Sequence, residues 1–110
     1  MIEDTNKLIE NRKSLTECKK EINRLNLENV ELWNKIITEF NENKARFRKV
    51  EGLGGLVQAL PIYADDEELV VQFDKNSTIS AKGLGFLEDE TGLKFSGVKG
   101  SEFDKFIFKL

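Results

Sequence analysis

Two acidic runs, Asp65-Asp66-Glu67-Glu68 and Glu88-Asp89-Glu90, are the densest sets of titratable oxygen ligands in this sequence. Hard cations bind such oxygens, but consecutive acids point in different directions, and the calcium-loop spacing with its central glycine and distal glutamate is absent. The runs therefore read as solvated turns holding no metal, and as candidate contacts for a basic or amphipathic peptide. Paired carboxylates for glycosidic chemistry would need an apolar cleft to move their pKa values apart, and a small head barely encloses one. Cys18 is the single cysteine and histidine is absent, so a thiolate here has no imidazole beside it. Gly52-Leu53-Gly54-Gly55 and Gly83-Leu84-Gly85 lack the Gly-Lys-Ser/Thr ending of a phosphate loop and read as turns or bulges. Lys44-Ala45-Arg46-Phe47-Arg48-Lys49 is the one basic cluster with an interleaved aromatic. With a net charge of −3 and no second patch, nucleic acid is a minor alternative to a solvated helix end. The expectation is a protein that is no enzyme and uses no cofactor.

The elements that carry these residues follow from length and composition. A chain of 110 residues allows one compact domain, or a smaller one joined to an extended element. One cysteine makes no internal disulfide, and no apolar run approaches a membrane span. Met1 precedes Ile-Glu-Asp-Thr rather than a basic segment and an apolar core, so a cytoplasmic or nuclear protein, not a secreted one, is expected. Charge and glycine divide unevenly. Residues 1–50 hold 11 Lys+Arg against 9 Asp+Glu and no Gly or Pro, whereas residues 51–110 hold 6 Lys, 11 acids, all 8 Gly and the Pro. The chain therefore reads as a coiled-coil dimerisation helix over 1–50 and a small α+β head over 51–110.

In the helix, Leu8, Leu15, Ile22 and Ile36 share one heptad position with Asn29, and Cys18, Leu25 and Leu32 fall three residues later in theirs. Two apolar positions in a strict seven-residue repeat make the narrow seam of a coiled coil. Positions 5 to 49 would form a rod of roughly 65 to 70 Å, too long to bury its seam against the head. Asn29 at position a favours two strands over three. In a parallel homodimer Lys7 would face Arg12, Ser14 Lys19, Glu21 Asn26 and Glu28 Trp33: one repulsive pair and no attractive one. The flanks therefore favour a heterodimer with a chain carrying its own head. Beyond Ile36, the larger stripe of Trp33, Ile37, Phe40 and Phe47 is expected to pack on the head.

The head should begin at the Gly-rich turn and continue with strands near 56–63, 68–73, 78–81, 84–87 and 93–96. Asp74–Ser77 and Glu88–Gly92 would be hairpin connections in an antiparallel meander. Phe106, Phe108 and Leu110 alternate as in a strand, but Phe103, Phe106, Ile107 and Leu110 have helical spacing after a capping-box-like Ser101-Glu-Phe-Asp104, which favours a short C-terminal helix.

Ala45-Arg-Phe-Arg-Lys-Val-Glu-Gly-Leu53, Glu68-Leu-Val-Val-Gln-Phe73 and Ser101-Glu-Phe-Asp-Lys-Phe-Ile-Phe-Lys-Leu110 occur in an order that resembles the kinetochore-proximal small subunits of the outer-kinetochore microtubule-attachment complex, the shorter-headed one above all. The resemblance implies a nuclear, chromosomal location and a heterodimer whose paired heads receive a peptide from a centromere-bound receptor during chromosome segregation. The sequence reading is thus a non-catalytic assembly protein. The alternatives are a viral or phage oligomer that binds or inhibits a host macromolecule through its acidic head, and a minor nucleic-acid-binding oligomer.

Overall fold

The computed structural model describes residues 1–62 and 67–110. The chain separates into two compact units, Met1–Glu31 and Leu32–Leu110. The division precedes the change of composition at residue 50, because the head takes its covering aromatic residues from the end of the long helix.

Helix α1 runs from Ile2 to Glu42, with Glu3 and Asp4 in its first turn, where carboxylates complement the helix dipole. No glycine or proline interrupts it. It ends at Asn43 rather than continuing toward residue 50: Asn43 donates its N–H to both Glu39 O (3.2 Å) and Phe40 O (3.0 Å), and a four-residue helix α2, Lys44–Phe47, follows. Tight turns through Val50 and Leu53 then lead into β1, Leu56–Ala59. Gly52 is needed in that turn. It adopts φ +85, and a Cβ placed on it would lie 2.0 Å from Ser80 Oγ.

Four antiparallel strands make one sheet in the order β1-β2-β4-β3, with β2 Leu69–Phe73, β3 Lys94–Lys99 and β4 Lys105–Lys109. This α+β architecture is the expected one, but several expectations within it are overturned. The segment assigned to strands at 78–81 and 84–87 is instead helix α3, Ala81–Thr91, and Glu88–Glu90 are its last turn rather than a hairpin. Ser80 caps its start by accepting from Gly83 N at 3.0 Å, and Gly92 closes its end in the left-handed conformation, φ 73. Gly83 and Gly85 weaken its intrinsic propensity. Buried Gly83, however, brings the helix against Leu53, 3.0 Å from where a Cβ would stand, so packing overrides propensity.

The C-terminal segment is strand β4, not a helix. It inserts between β2 and β3, so the sheet is not a meander, and its backbone pairs on both sides. A terminal helix would leave β2 and β3 without a shared neighbour; the double pairing selects the period-two reading of Phe106 and Phe108. The turn before it is made by Gly100 (φ 96) and Phe103 (φ 52), with Phe103 N donating to Gly100 O at 3.2 Å.

One face of the sheet meets the helices in a continuous apolar core. Leu69, Val71, Phe73 and Phe108 from the sheet join Trp33, Ile37 and Phe40 from α1, Phe47 from α2, and Leu53, Leu87 and Leu93. Fully burying each large side chain contributes about 1.5–3 kcal/mol before ordering costs. Aromatic edges add to it: Phe40 to Phe47 at 5.0 Å, Phe73 to Phe106 at 4.9 Å, and Phe95 to Phe108 at 5.8 Å between centroids.

Candidate assembly interface

Within Met1–Glu31 the side chains at seam positions are open to solvent. Leu8 is 68% exposed, Leu15 62%, Ile22 57% and Leu25 43%, and Leu32, the first residue of the second unit, is 49% exposed. Cys18 and Asn29 are also exposed, and Ile36 is partly buried against the head core. A long helix with a row of leucine and isoleucine uncovered has the kind of surface a coiled-coil strand presents to another. Trp33, Ile37, Phe40 and Phe47 are buried in the head core, so the two apolar stripes have separate destinations.

The charges flanking the seam are already organised. Arg24, one turn from each of two glutamates, donates from Nε to Glu21 at 3.1 Å and from Nη1 to Glu28 at 3.2 Å. Its guanidinium holds the Glu21 carboxyl below the ordinary carboxylate value. Glu21 and Glu28 are thus balanced within their own helix. Lys7, Arg12 and Lys19 make no ion pair among the described residues.

The acids chosen for peptide docking have varied surroundings. Asp65 and Asp66 lie outside the described residues, and Glu67 and Asp89 are exposed. Glu68 is largely covered and lies 2.8 Å from Lys99 Nζ and 4.0 Å from Lys109 Nζ. Glu88 accepts the Phe95 N–H at 2.9 Å, fastening α3 to β3. Glu90 accepts from both terminal nitrogens of Arg46 at 3.1 Å, and that guanidinium keeps its carboxyl below the usual range. Three of these acids therefore already have partners within the head.

The basic cluster is similarly committed. Arg46 also lies over the Phe47 ring, 4.8 Å from its centroid, and Arg48 donates to Leu56 O at 2.6 Å and Val57 O at 2.9 Å. Lys44 is partly covered and Lys49 exposed. In the glycine run, Gly52 and Gly55 leave room for Ser80 and Ser77. No group of three or more possible metal ligands exists among the described residues, and no described helix is long and apolar enough to cross a membrane.

Sequence reasoning overlooked Asn41. Its side chain acts as a short strand neighbour, donating to Ala59 O at 3.1 Å and accepting from Ala59 N at 2.8 Å. Asn41 and Arg48 together cover polar backbone atoms of the outer strand β1, which would otherwise invite another strand. An asparagine on a helix carries no sequence signal for such a role.

No family model, no curated protein and no solved structure matches the chain.

Proposed function

We propose that this chain is a non-catalytic assembly protein, one strand of a two-stranded coiled coil that holds a small α+β head for docking. The observation that carries the reading is the heptad row from Leu8 to Leu25, open to solvent on a long helix. Asn29 at position a favours two strands, and the uncompensated Lys7, Arg12 and Lys19 favour a partner bearing acids opposite them. A place in kinetochore assembly, with the nuclear location that goes with it, rests on the sequence resemblance alone.

Sedimentation of the full chain, alone and after copurification from its native source, tests this reading. The expected result is weak self-association of the isolated chain and a stoichiometric coiled-coil partner in the copurified material. Leu15→Asp with Ile22→Asp should abolish that complex while the head keeps its thermal transition. A chain that stays monomeric under both conditions defeats the coiled-coil reading. A fully helical homodimer at micromolar concentration defeats its heterodimer part. Arg12→Glu with Lys19→Glu should weaken pairing with an acidic partner and strengthen self-pairing.

A further inference from the structure

The sheet has a second face, turned away from the apolar core, and its composition is unlike the rest of the head. Strand pairing sets Lys94 opposite Lys109 and Lys99 opposite Lys105, two like-charged pairs directly across β3 and β4. All four lie on the face shared by Val70 and Ile107, which pair with each other and stand outside the core cluster. Four of the six lysines in residues 51–110 thus converge on one face of a segment that is acidic overall. Glu68 answers Lys99 and, at 4.0 Å, Lys109, and Asp104 lies 4.0 Å from Lys105 at the border. Lys94 makes no ion pair among the described residues. Directly opposed like charges destabilise a sheet, and Glu68 and Asp104 together place two carboxylates against the four lysines of these two pairs.

We propose that this face docks an acidic protein segment, with Lys94, Lys99, Lys105 and Lys109 meeting its carboxylates and Val70 and Ile107 its apolar side chains. Charge complementarity selects the occupant, and aromatic placement distinguishes it from nucleic acid. Single-stranded nucleic acid binds sheets through exposed aromatic rings, and here Phe73, Phe95, Phe106 and Phe108 all belong to the core side. Strand addition at an edge is also disfavoured, since Asn41 and Arg48 hold backbone atoms of β1 and Glu88 holds Phe95 N on β3. A trough of about 330 Å³ between Val70 and Leu60–Ile62 opens beside the lysines and could receive an apolar anchor. This inference deepens the docking part of the proposed function and is independent of the helix seam.

The probe is a fluorescent peptide of about ten residues alternating Asp and Val, long enough in extended form to cross the sheet. Binding to the full chain is followed by anisotropy at low and high salt and by amide shifts in a nitrogen-15 spectrum. Lys94→Glu with Lys105→Glu converts both like-charged pairs into opposite ones, so the variant should unfold at a higher temperature than the wild type. It should nevertheless bind the peptide roughly tenfold more weakly, the effect of losing two exposed ion contacts. Lys75→Glu with Lys82→Glu makes the same change in net charge away from this face and should leave binding unaltered. Sedimentation of both variants should match the wild type, which separates failure here from failure of the coiled-coil reading. Absence of binding, equal losses in the two variants, shifts confined to other surfaces, or tighter binding of an oligothymidylate than of the peptide would each overturn the proposal.

Discussion

Arg46 and Glu90 hold each other through two parallel hydrogen bonds of 3.1 Å, joining the short helix α2 to the last turn of α3. In sequence Glu90 belongs to an acidic run read as a candidate peptide contact, and Arg46 to a basic cluster read as a solvated helix end with nucleic acid a minor alternative. The fork ties both to the same molecule at its surface and places the guanidinium over Phe47.

The pair makes stability depend on acidity. The Glu90 carboxyl titrates below its unfolded value because Arg46 favours its charged form, so its contribution is present above the ordinary carboxylate range and is lost as pH falls through the lowered pKa. Glu90→Gln should therefore lower the melting temperature at neutral pH and converge with the wild type in acid. Melting curves across that range check the sign, and a constant difference would count against it.

Gly52 should tolerate no side chain. Its φ of +85 and the 2.0 Å approach of Ser80 Oγ combine backbone strain with overlap in Gly52→Ala. The expected loss is about 3 kcal/mol, measured by urea denaturation, whereas Gly54→Ala, with open space around it, should change stability by less than about 1 kcal/mol.

Phe103 is 75% exposed and sits at φ 52, a left-handed conformation that favours asparagine or glycine. Phe103→Asn should raise stability by about 1 kcal/mol, since little burial is lost. A lower denaturation midpoint would show that the ring contributes a contact that outweighs the backbone strain.

Asn29 should specify the oligomer at some cost in stability. Asn29→Ile completes the apolar row and is expected to tighten association while loosening the preference for two strands, seen as larger species by sedimentation equilibrium. Unchanged affinity would place Asn29 outside the seam.

Cys18 reports on pairing. In a parallel in-register homodimer its position brings two thiols across the seam, so mild oxidation would link the chains rapidly. A helix built for a different partner should cross-link slowly and incompletely when alone, a difference that non-reducing gels resolve.

The long helix and its exposed apolar row were legible in the residues themselves. A stretch of 41 helical residues without glycine or proline, carrying leucine and isoleucine at heptad spacing, has only local geometry to satisfy, and local geometry is written in periodicity. The head was legible in class but not in order. Leu69–Phe73 reads as a strand from β-branched and aromatic content, yet the helix at Ala81–Thr91 depends on Ser80, Gly92 and the room that Gly83 leaves for Leu53. The last strand was equally hidden, because Phe103–Leu110 fits both periods and only pairing with β2 on one side and β3 on the other decides between them. Charge behaved in the same way. The sequence by itself determined how many lysines and carboxylates there are; tertiary structure decided which meet, as Arg46 and Glu90 do, and which gather on one face of the sheet, as Lys94, Lys99, Lys105 and Lys109 do around Glu68. The physical reason is strand register: residues far apart in the chain become neighbours only when hydrogen-bonded pairing sets them opposite one another.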